Sequence, residues 1–318
     1  MKKVFLFILS LALLLTVSIM PVTPVSATTN LTVDLSSVIG PATHVATGSL
    51  YGVIETKPSD SFISQIRPKV LTNPAVAGYQ QPWGAAIPVA QRVAQYGTKV
   101  QIRLADWYTG WYDFSNMTDW FNKMATTVNA VKASGITNVY GYEIWNEPYY
   151  TWHLSESGMT FDEFYSLSHA RLKQLDPNAK AIGPSWEYYD HNAMNGFLTY
   201  QKARNTIPDI ICWHQLNNED FTRDYNDYRA LEQSLGISPR PITINEYSGE
   251  AWLSDEGRPG AVAPIIAKFE RFKIDSACQS FLGCSEPGKI GKFTCNRHTA
   301  QRRILVLQVV CRDVRKYG

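Results

Sequence analysis

The chain has 318 residues, 45% hydrophobic and 18% charged, with 9 Trp, 17 Tyr and 13 Phe. That supply of apolar side chains supports one large core and excludes a disordered or low-complexity chain. The net charge of +2 hides an asymmetry: without Lys2, Lys3 and the basic stretch 281–318, the remaining body carries −6, which argues against nucleic acid as a partner.

Lys2 and Lys3 precede an unbroken apolar and small-residue run from Val4 to Met20, and Val25-Ser26-Ala27 fits a small-residue cleavage site. Residues 1–27 therefore read as a signal peptide. The competing reading is a transmembrane anchor, because the run could just span a bilayer. No basic stop-transfer flank follows it, so no stable membrane anchor is expected and the mature protein is expected to be secreted.

From residue 28 to 280, apolar stretches bounded by turn residues alternate with amphipathic ones, the pattern of a βα repeat. Expected strands are 49–54, 69–71, 100–105, 139–145, 179–183, 209–213, 242–245 and 277–281, the second being short and weak. Expected helices are 85–96, 118–133, 161–175, 192–204, 221–235 and 262–272. Thr160-Phe161-Asp162-Glu163 reads as a capping box at the start of the third. Near-continuous Val/Ile strands suit a parallel sheet covered on both faces. Eight of them imply a (β/α)8 barrel, whose active groups collect at the C-terminal rim.

Two glutamates follow such strands directly: Glu147 in Ile144-Trp145-Asn146-Glu147-Pro148 and Glu246 in Ile244-Asn245-Glu246-Tyr247. The 99 residues between them equal three βα units of about 33 residues. Paired carboxylates at strand ends are the equipment for glycosidic cleavage, one protonating the leaving oxygen and the other attacking the sugar carbon. Trp107, Tyr108, Asn146, Trp186, His214 and Tyr247 also follow strands and are expected in the same cleft. Arg103 lies within a strand, where a charge needs a partner. It either orients a carboxylate or plugs the barrel. Trp107, Tyr108, Trp111 and Tyr112 form either a sugar-stacking wall or a loop packed on itself, and Trp83, Tyr149, Tyr150 and Trp152 share that ambiguity. Glu143 reads as an interior hydrogen-bonding group, Glu187 and Glu250 as loop carboxylates, and Cys212 as a small buried hydrophobe.

No HExxH, GxSxG or phosphate-cradling glycine loop occurs, and the cysteines lack CxxC spacing. No metal or cofactor is expected. The expected partner is a carbohydrate substrate, and no oligomeric state follows from the sequence.

With Asn146-Glu147-Pro148 after strand four and Glu246 ending strand seven, residues 45–280 resemble clan A glycoside hydrolases, most closely the family 39 group with its β-xylosidases. The resemblance implies retaining hydrolysis of plant-type poly- or oligosaccharide, with Glu147 as acid/base and Glu246 as nucleophile. It also implies Asn146 on the sugar 2-hydroxyl and His214 on the nucleophile or sugar. Glu147 would then need a raised pKa. An endo-acting xylanase or mannanase, or a carbohydrate-binding barrel without turnover, are the alternatives.

Residues 281–318 depart from this pattern. They hold eight Lys/Arg against two acids, with Cys284, Cys295 and Cys311 and no Trp. A basic surface arm or a cysteine staple are two readings. The preferred one is a frameshift: moving one nucleotide forward near Phe281 lets codon degeneracy encode a peptide opening F-W-V, then a polar loop and an aromatic helix. On that reading the barrel is incomplete at strand eight and helix eight, exposing a sheet edge.

Overall fold

The computed structural model describes residues 40–79, 84–110, 112–216, 220–248 and 259–280. The signal peptide, the 281–318 tail with its frameshift, and Trp83, Trp111 and Glu250 lie outside the described residues.

Eight parallel strands close into a barrel in chain order. They are β1 (Gly48–Leu50), β2 (Val70–Pro74), β3 (Lys99–Arg103), β4 (Val139–Glu143), β5 (Ala181–Trp186), β6 (Ile210–Trp213), β7 (Ile242–Tyr247) and β8 (Ser276–Gln279). Seven helices make the crossovers: α1 (Asp60–Ile66), α2 (Ala86–Val93), α3 (Met117–Ser134), α4 (Phe161–Leu175), α5 (His191–Arg204), α6 (Phe221–Ser234) and α7 (Pro259–Phe272). Local chemistry sets their ends. Asn116, Thr160 and Asp190 accept from the backbone N–H three residues on, starting α3, α4 and α5, because the first turn of a helix has no internal acceptors for these donors. Gly135 ends α3 at φ 70°, a left-handed conformation that glycine adopts without a Cβ clash.

Strand eight is complete, contrary to the expectation of a barrel open there. Gly48 and Ser49 of β1 pair with Cys278 and Gln279, while Thr243 and Ile244 of β7 pair with Ser276 and Ala277. The closing strand ends at Gln279, ahead of residues 281–318. Helix eight would fall beyond residue 280, outside the described residues.

The barrel interior is a packed plug below and polar above. Val70, Tyr140, Ile182, Ile210, Cys212 and Cys278 form one buried cluster, drawn largely from alternate strands as barrel layers are. Toward the C-terminal strand ends, Gln101, Arg103, Glu143 and Asn245 take over, all buried. The larger core lies between sheet and helices, with Trp120, Trp145, Phe164, Trp213 and Phe269 within it. Among the described residues, no helix is long and apolar enough to cross a membrane.

Candidate active site

Buried charge organises the rim. Arg103 is 1% exposed and divides its guanidinium among three acceptors. Nε donates to Glu143 Oε2 at 2.9 Å, Nη2 to Glu246 Oε1 at 2.9 Å and Nη1 to the Tyr51 hydroxyl at 3.2 Å. Glu143 is held in turn by Gln101 Nε2 at 2.9 Å and Asn245 Nδ2 at 2.6 Å. A buried ion is tolerated when its lone pairs and protons are met in this way. Arg103 therefore both fills the barrel and aims Glu246, uniting the two readings the sequence left open.

His214 bridges the two glutamates. Its Nδ1–H donates to Glu147 Oε1 at 3.1 Å, and its Nε2 stands 3.7 Å from Glu246 Oε1. One oxygen of each glutamate and a ring nitrogen of His214 lie within 4.8 Å of one another. Backbone geometry holds this in place. Glu147 sits at φ 51°, ψ 54°, a left-handed conformation costing a non-glycine residue roughly 1–3 kcal/mol and typical of functional positions. It is secured by Glu147 N–H to the Ser185 carbonyl at 3.0 Å, and by the Thr151 hydroxyl, which donates to the carbonyls of Asn146 and Glu147 at 2.7 and 2.9 Å. The His214 N–H donates to the Trp186 carbonyl at 2.8 Å, locking strand six to strand five.

The proton distribution differs from the expectation for Glu147. Burial pushes its carboxyl up, but the hydrogen bond and charge of His214, with Arg103 behind, outweigh burial and hold it below its ordinary value. Burial pushes the His214 imidazole down, yet the charge of Glu246 and the bond to Glu147 hold it above its ordinary value. The difference comes from His214, whose imidazolium stands between the two glutamates. The two groups share one proton and titrate as a pair.

The same three side chains offer a metal-like donor set. Their surroundings suit a proton better: His214 Nδ1 is a donor to Glu147, and the Arg103 cation already occupies Glu246 Oε1.

Several expected substrate contacts carry buried polar atoms with no hydrogen-bond partner among the described residues: Asn146 Oδ1, Trp186 Nε1 and His214 Nε2. Such atoms are rare in native interiors and ask for a ligand or solvent partner. Trp107 is turned into the fold, its Nε1 donating to Thr127 Oγ1 of α3 at 2.8 Å. Tyr108 is buried in an aromatic cluster 6.1 Å from Trp120, and Trp152 packs 4.2 Å from Phe164. Tyr247 stands apart from the group. It is fully buried, T-shaped to Phe269 of α7 at 5.2 Å, and its hydroxyl donates to the Ala46 carbonyl at 2.8 Å.

Two further carboxyls, Asp106 and Glu187, are buried beside these groups. Asp106, fully buried, accepts from Tyr51 OH at 2.8 Å and Tyr112 OH at 3.1 Å. Burial pushes its pKa up to about 7, against the pull of Arg103 and the two hydroxyls. Tyr112 OH also accepts from Asn146 Nδ2 at 3.3 Å, so hydrogen bonds run from Glu246 through Arg103, Tyr51, Asp106 and Tyr112 to Asn146. Glu187, read as a loop carboxylate, is 5% exposed and accepts the Tyr150 N–H at 2.7 Å. Burial raises its pKa to about 7, helped by the Glu147 charge. The only signal for Asp106 was its place three residues past Arg103; alternation in a strand does not report which loop acids turn inward.

Fold and site together are a (β/α)8 barrel with two glutamates meeting at its C-terminal rim. No family model matches the chain. It is 25% identical, over 81% of its length, to a 3-O-alpha-D-galactosyl-alpha-L-arabinofuranosidase of Bifidobacterium longum subsp. longum. It is 24% identical, over 77% of its length, to a 3-O-beta-L-arabinopyranosyl-alpha-L-arabinofuranosidase of Bifidobacterium pseudocatenulatum. The chain spans 28% and 31% of those two proteins. Among solved structures it is similar to N2152 of Neocallimastix frontalis, with 42% identity, a TM-score of 0.73, and coverage of 79% of this chain and 64% of that one.

Proposed function

We infer that this chain is a retaining O-glycoside hydrolase acting on plant-type poly- or oligosaccharide, with Glu147 as acid/base and Glu246 as nucleophile. One observation carries the reading: an oxygen of each glutamate lies within 4.8 Å of the other. Retaining enzymes need carboxyls about 5–5.5 Å apart, whereas inverting ones separate them by ~6.5–9.5 Å to admit a water.

The reaction follows from these contacts. Glu246 Oε2 is left without a bond to Arg103, whose Nη2 takes Oε1. An oxygen of Glu246 attacks the anomeric carbon and forms an ester bond. The bond to the leaving oxygen breaks, its electron pair stays on that oxygen, and Glu147 supplies the proton. The productive form of the Glu147–His214 pair has the shared proton on Glu147. In the second half, Glu147 takes a proton from water, the resulting hydroxide oxygen bonds to the anomeric carbon, and Glu246 leaves as carboxylate. Asn146 Oδ1, with no protein partner among the described residues, is available to the 2-hydroxyl, where a bond tightening at the transition state lowers the barrier.

The residue whose glycosidic bond is cut is a pentose. The resemblance to β-xylosidases and the arabinofuranosidases among the relatives share that feature, and the relatives favour arabinofuranosyl over xylosyl. The secretion expected from residues 1–27 would bring the enzyme to a polymeric extracellular substrate. The test is a 2-deoxy-2-fluoro pentosyl donor with an activated leaving group. Mass spectrometry should find the fluoropentosyl group on the peptide holding Glu246, and NMR should show first-formed product of retained configuration. Inverted product overturns the reading.

A further inference from the structure

Tyr149, Tyr150 and Tyr188 are 64%, 57% and 48% exposed, which is unusual for large rings beside a buried site. They form one patch: Tyr149 lies 5.3 Å from Tyr150, T-shaped, and 6.2 Å from Tyr188. The patch is tied to the acid/base. Tyr149 and Tyr150 follow Glu147 by two and three residues, on the short helical turn Pro148–Thr151. The Tyr150 N–H donates both to the Glu147 carbonyl at 3.0 Å and to Glu187 Oε1 at 2.7 Å. Tyr188 follows Glu187 directly. Glu187 thus binds the two rim loops that carry all three rings. Trp152, one turn further on, is buried against Phe164, so the exposure belongs to the tyrosines and not to the loop as a whole.

An exposed contiguous apolar patch marks a binding surface, and tyrosine supplies a flat apolar face with a polar edge. The chemistry of the site decides what it meets. Glu147 protonates the leaving oxygen, so the group attached to that oxygen departs on the Glu147 side, while the glycosyl residue sits over Glu246. Rings anchored through Glu147 and Glu187 therefore address the departing group.

Resting on the hydrolase reading above, we propose that Tyr149, Tyr150 and Tyr188 form a leaving-group subsite that stacks on the C–H face of a sugar, so that the bond cleaved joins two sugar residues. The platform gives the enzyme selectivity between leaving groups, separate from the recognition of the pentose whose bond is cut.

The experiment compares a glycosyl fluoride, a 4-nitrophenyl glycoside and a disaccharide that share one pentosyl group. The variants are Tyr149→Ala/Tyr188→Ala, which removes two faces, and Tyr149→Phe/Tyr188→Phe, which keeps them. Fluoride fills no leaving-group subsite, so its turnover reports folding and the glutamate pair. The alanine pair should lower kcat/KM on the disaccharide roughly tenfold relative to the fluoride, a typical cost of truncating aromatic contacts, and the phenylalanine pair should stay within about twofold. An unchanged disaccharide-to-fluoride ratio overturns the platform. An equal fall on the nitrophenyl glycoside and the disaccharide overturns its assignment to sugar. Failure of the unmutated enzyme to turn over the fluoride overturns the hydrolase reading itself, and the platform with it.

Discussion

Arg103 reaches across the barrel from β3 to place its Nη2 2.9 Å from Glu246 Oε1 at the end of β7. The same guanidinium holds Glu143 through Nε at 2.9 Å, so one cation serves a structural carboxylate and the proposed nucleophile together. Arg103→Met would strand both carboxylates in a buried site, and breaking a buried pair costs about 3–5 kcal/mol. Arg103→Lys keeps the charge but loses the fork geometry, since an ammonium cannot present three fixed donors at once. We expect the lysine variant to lose less stability than the methionine variant, and still to lose about 100-fold or more in kcat, the scale of removing one preorganised donor. Denaturant unfolding alongside steady-state kinetics checks this. A lysine variant with near-normal kcat would show that Arg103 serves folding alone.

His214 and Glu147 give a prediction in pH. The last proton on the pair is held by His214, whose pKa is raised above the ordinary histidine value by Glu246 and Glu147 against the effect of burial. The alkaline limb of kcat/KM reports loss of that proton from the free enzyme. In His214→Gln the limb belongs to Glu147 by itself. It should move to lower pH, because a carboxyl, even one raised by burial, replaces an imidazole as the proton holder. A pH profile of the variant on a substrate with a poor leaving group measures the shift. A limb left in place would mean that the two groups do not share a proton.

The fold was legible because its signals are local. Val/Ile runs mark the strands, and α4 matches its expected span 161–175 at both ends, with Thr160 capping its start. The crossover helix absent from the sequence expectations, α1, has seven residues and only Ile63 buried, too little for a 3.6-residue stripe. The site was legible in part. Glu246 lies at the end of β7, His214 directly follows β6, and Asn146 and Glu147 follow β4 within four residues, and closure of the barrel collects strand ends. What joins them was not legible. Whether His214 leans on Glu147 or Glu246 depends on how strand six is staggered against its neighbours, and the register shifts between Pro184 and Trp186. Tyr247 shows the converse: as the residue after Glu246 in an extended strand its side chain points to the opposite face, onto α7, as the period of two requires.

Asp106 should make the fold less stable as pH rises. Its carboxyl titrates at about 7 when folded and near 3.9 when unfolded, so between those values the folded state binds more protons. The stabilising contribution is complete below the unfolded value and is lost as pH climbs through the folded one. Glu187, also about 7 when folded, acts in the same direction. Asp106→Asn cannot ionise and escapes this loss. The variant should be weaker than the parent at pH 4 and gain on it steadily to pH 8, with a relative change on the order of a few kcal/mol. Urea unfolding of both proteins at four or five pH values gives the difference curve. A flat difference would mean that Asp106 is charged throughout, with Arg103 winning over burial.

Barrel closure depends on one small residue. Gly48 pairs with Cys278 across the β1–β8 seam, and a Cβ built on it would collide with the carbonyl oxygens of Ala277 and Val70 and with Cys278 Sγ. Two of those three neighbours are backbone in adjacent strands and cannot turn aside. Gly48→Ala should therefore part the seam locally and cost about 1–3 kcal/mol, the range for overpacking. Gly196 in α5 is the control, because its Cβ would meet nothing within 4 Å. Gly196→Ala should stabilise by about 0.5–1 kcal/mol through helix propensity and reduced freedom of the unfolded chain. Both changes add the same methyl group, so opposite shifts in the urea midpoint at constant slope assign the effect to the seam. A Gly48→Ala protein as stable as its parent would mean that β1 and β8 are not held together at this register.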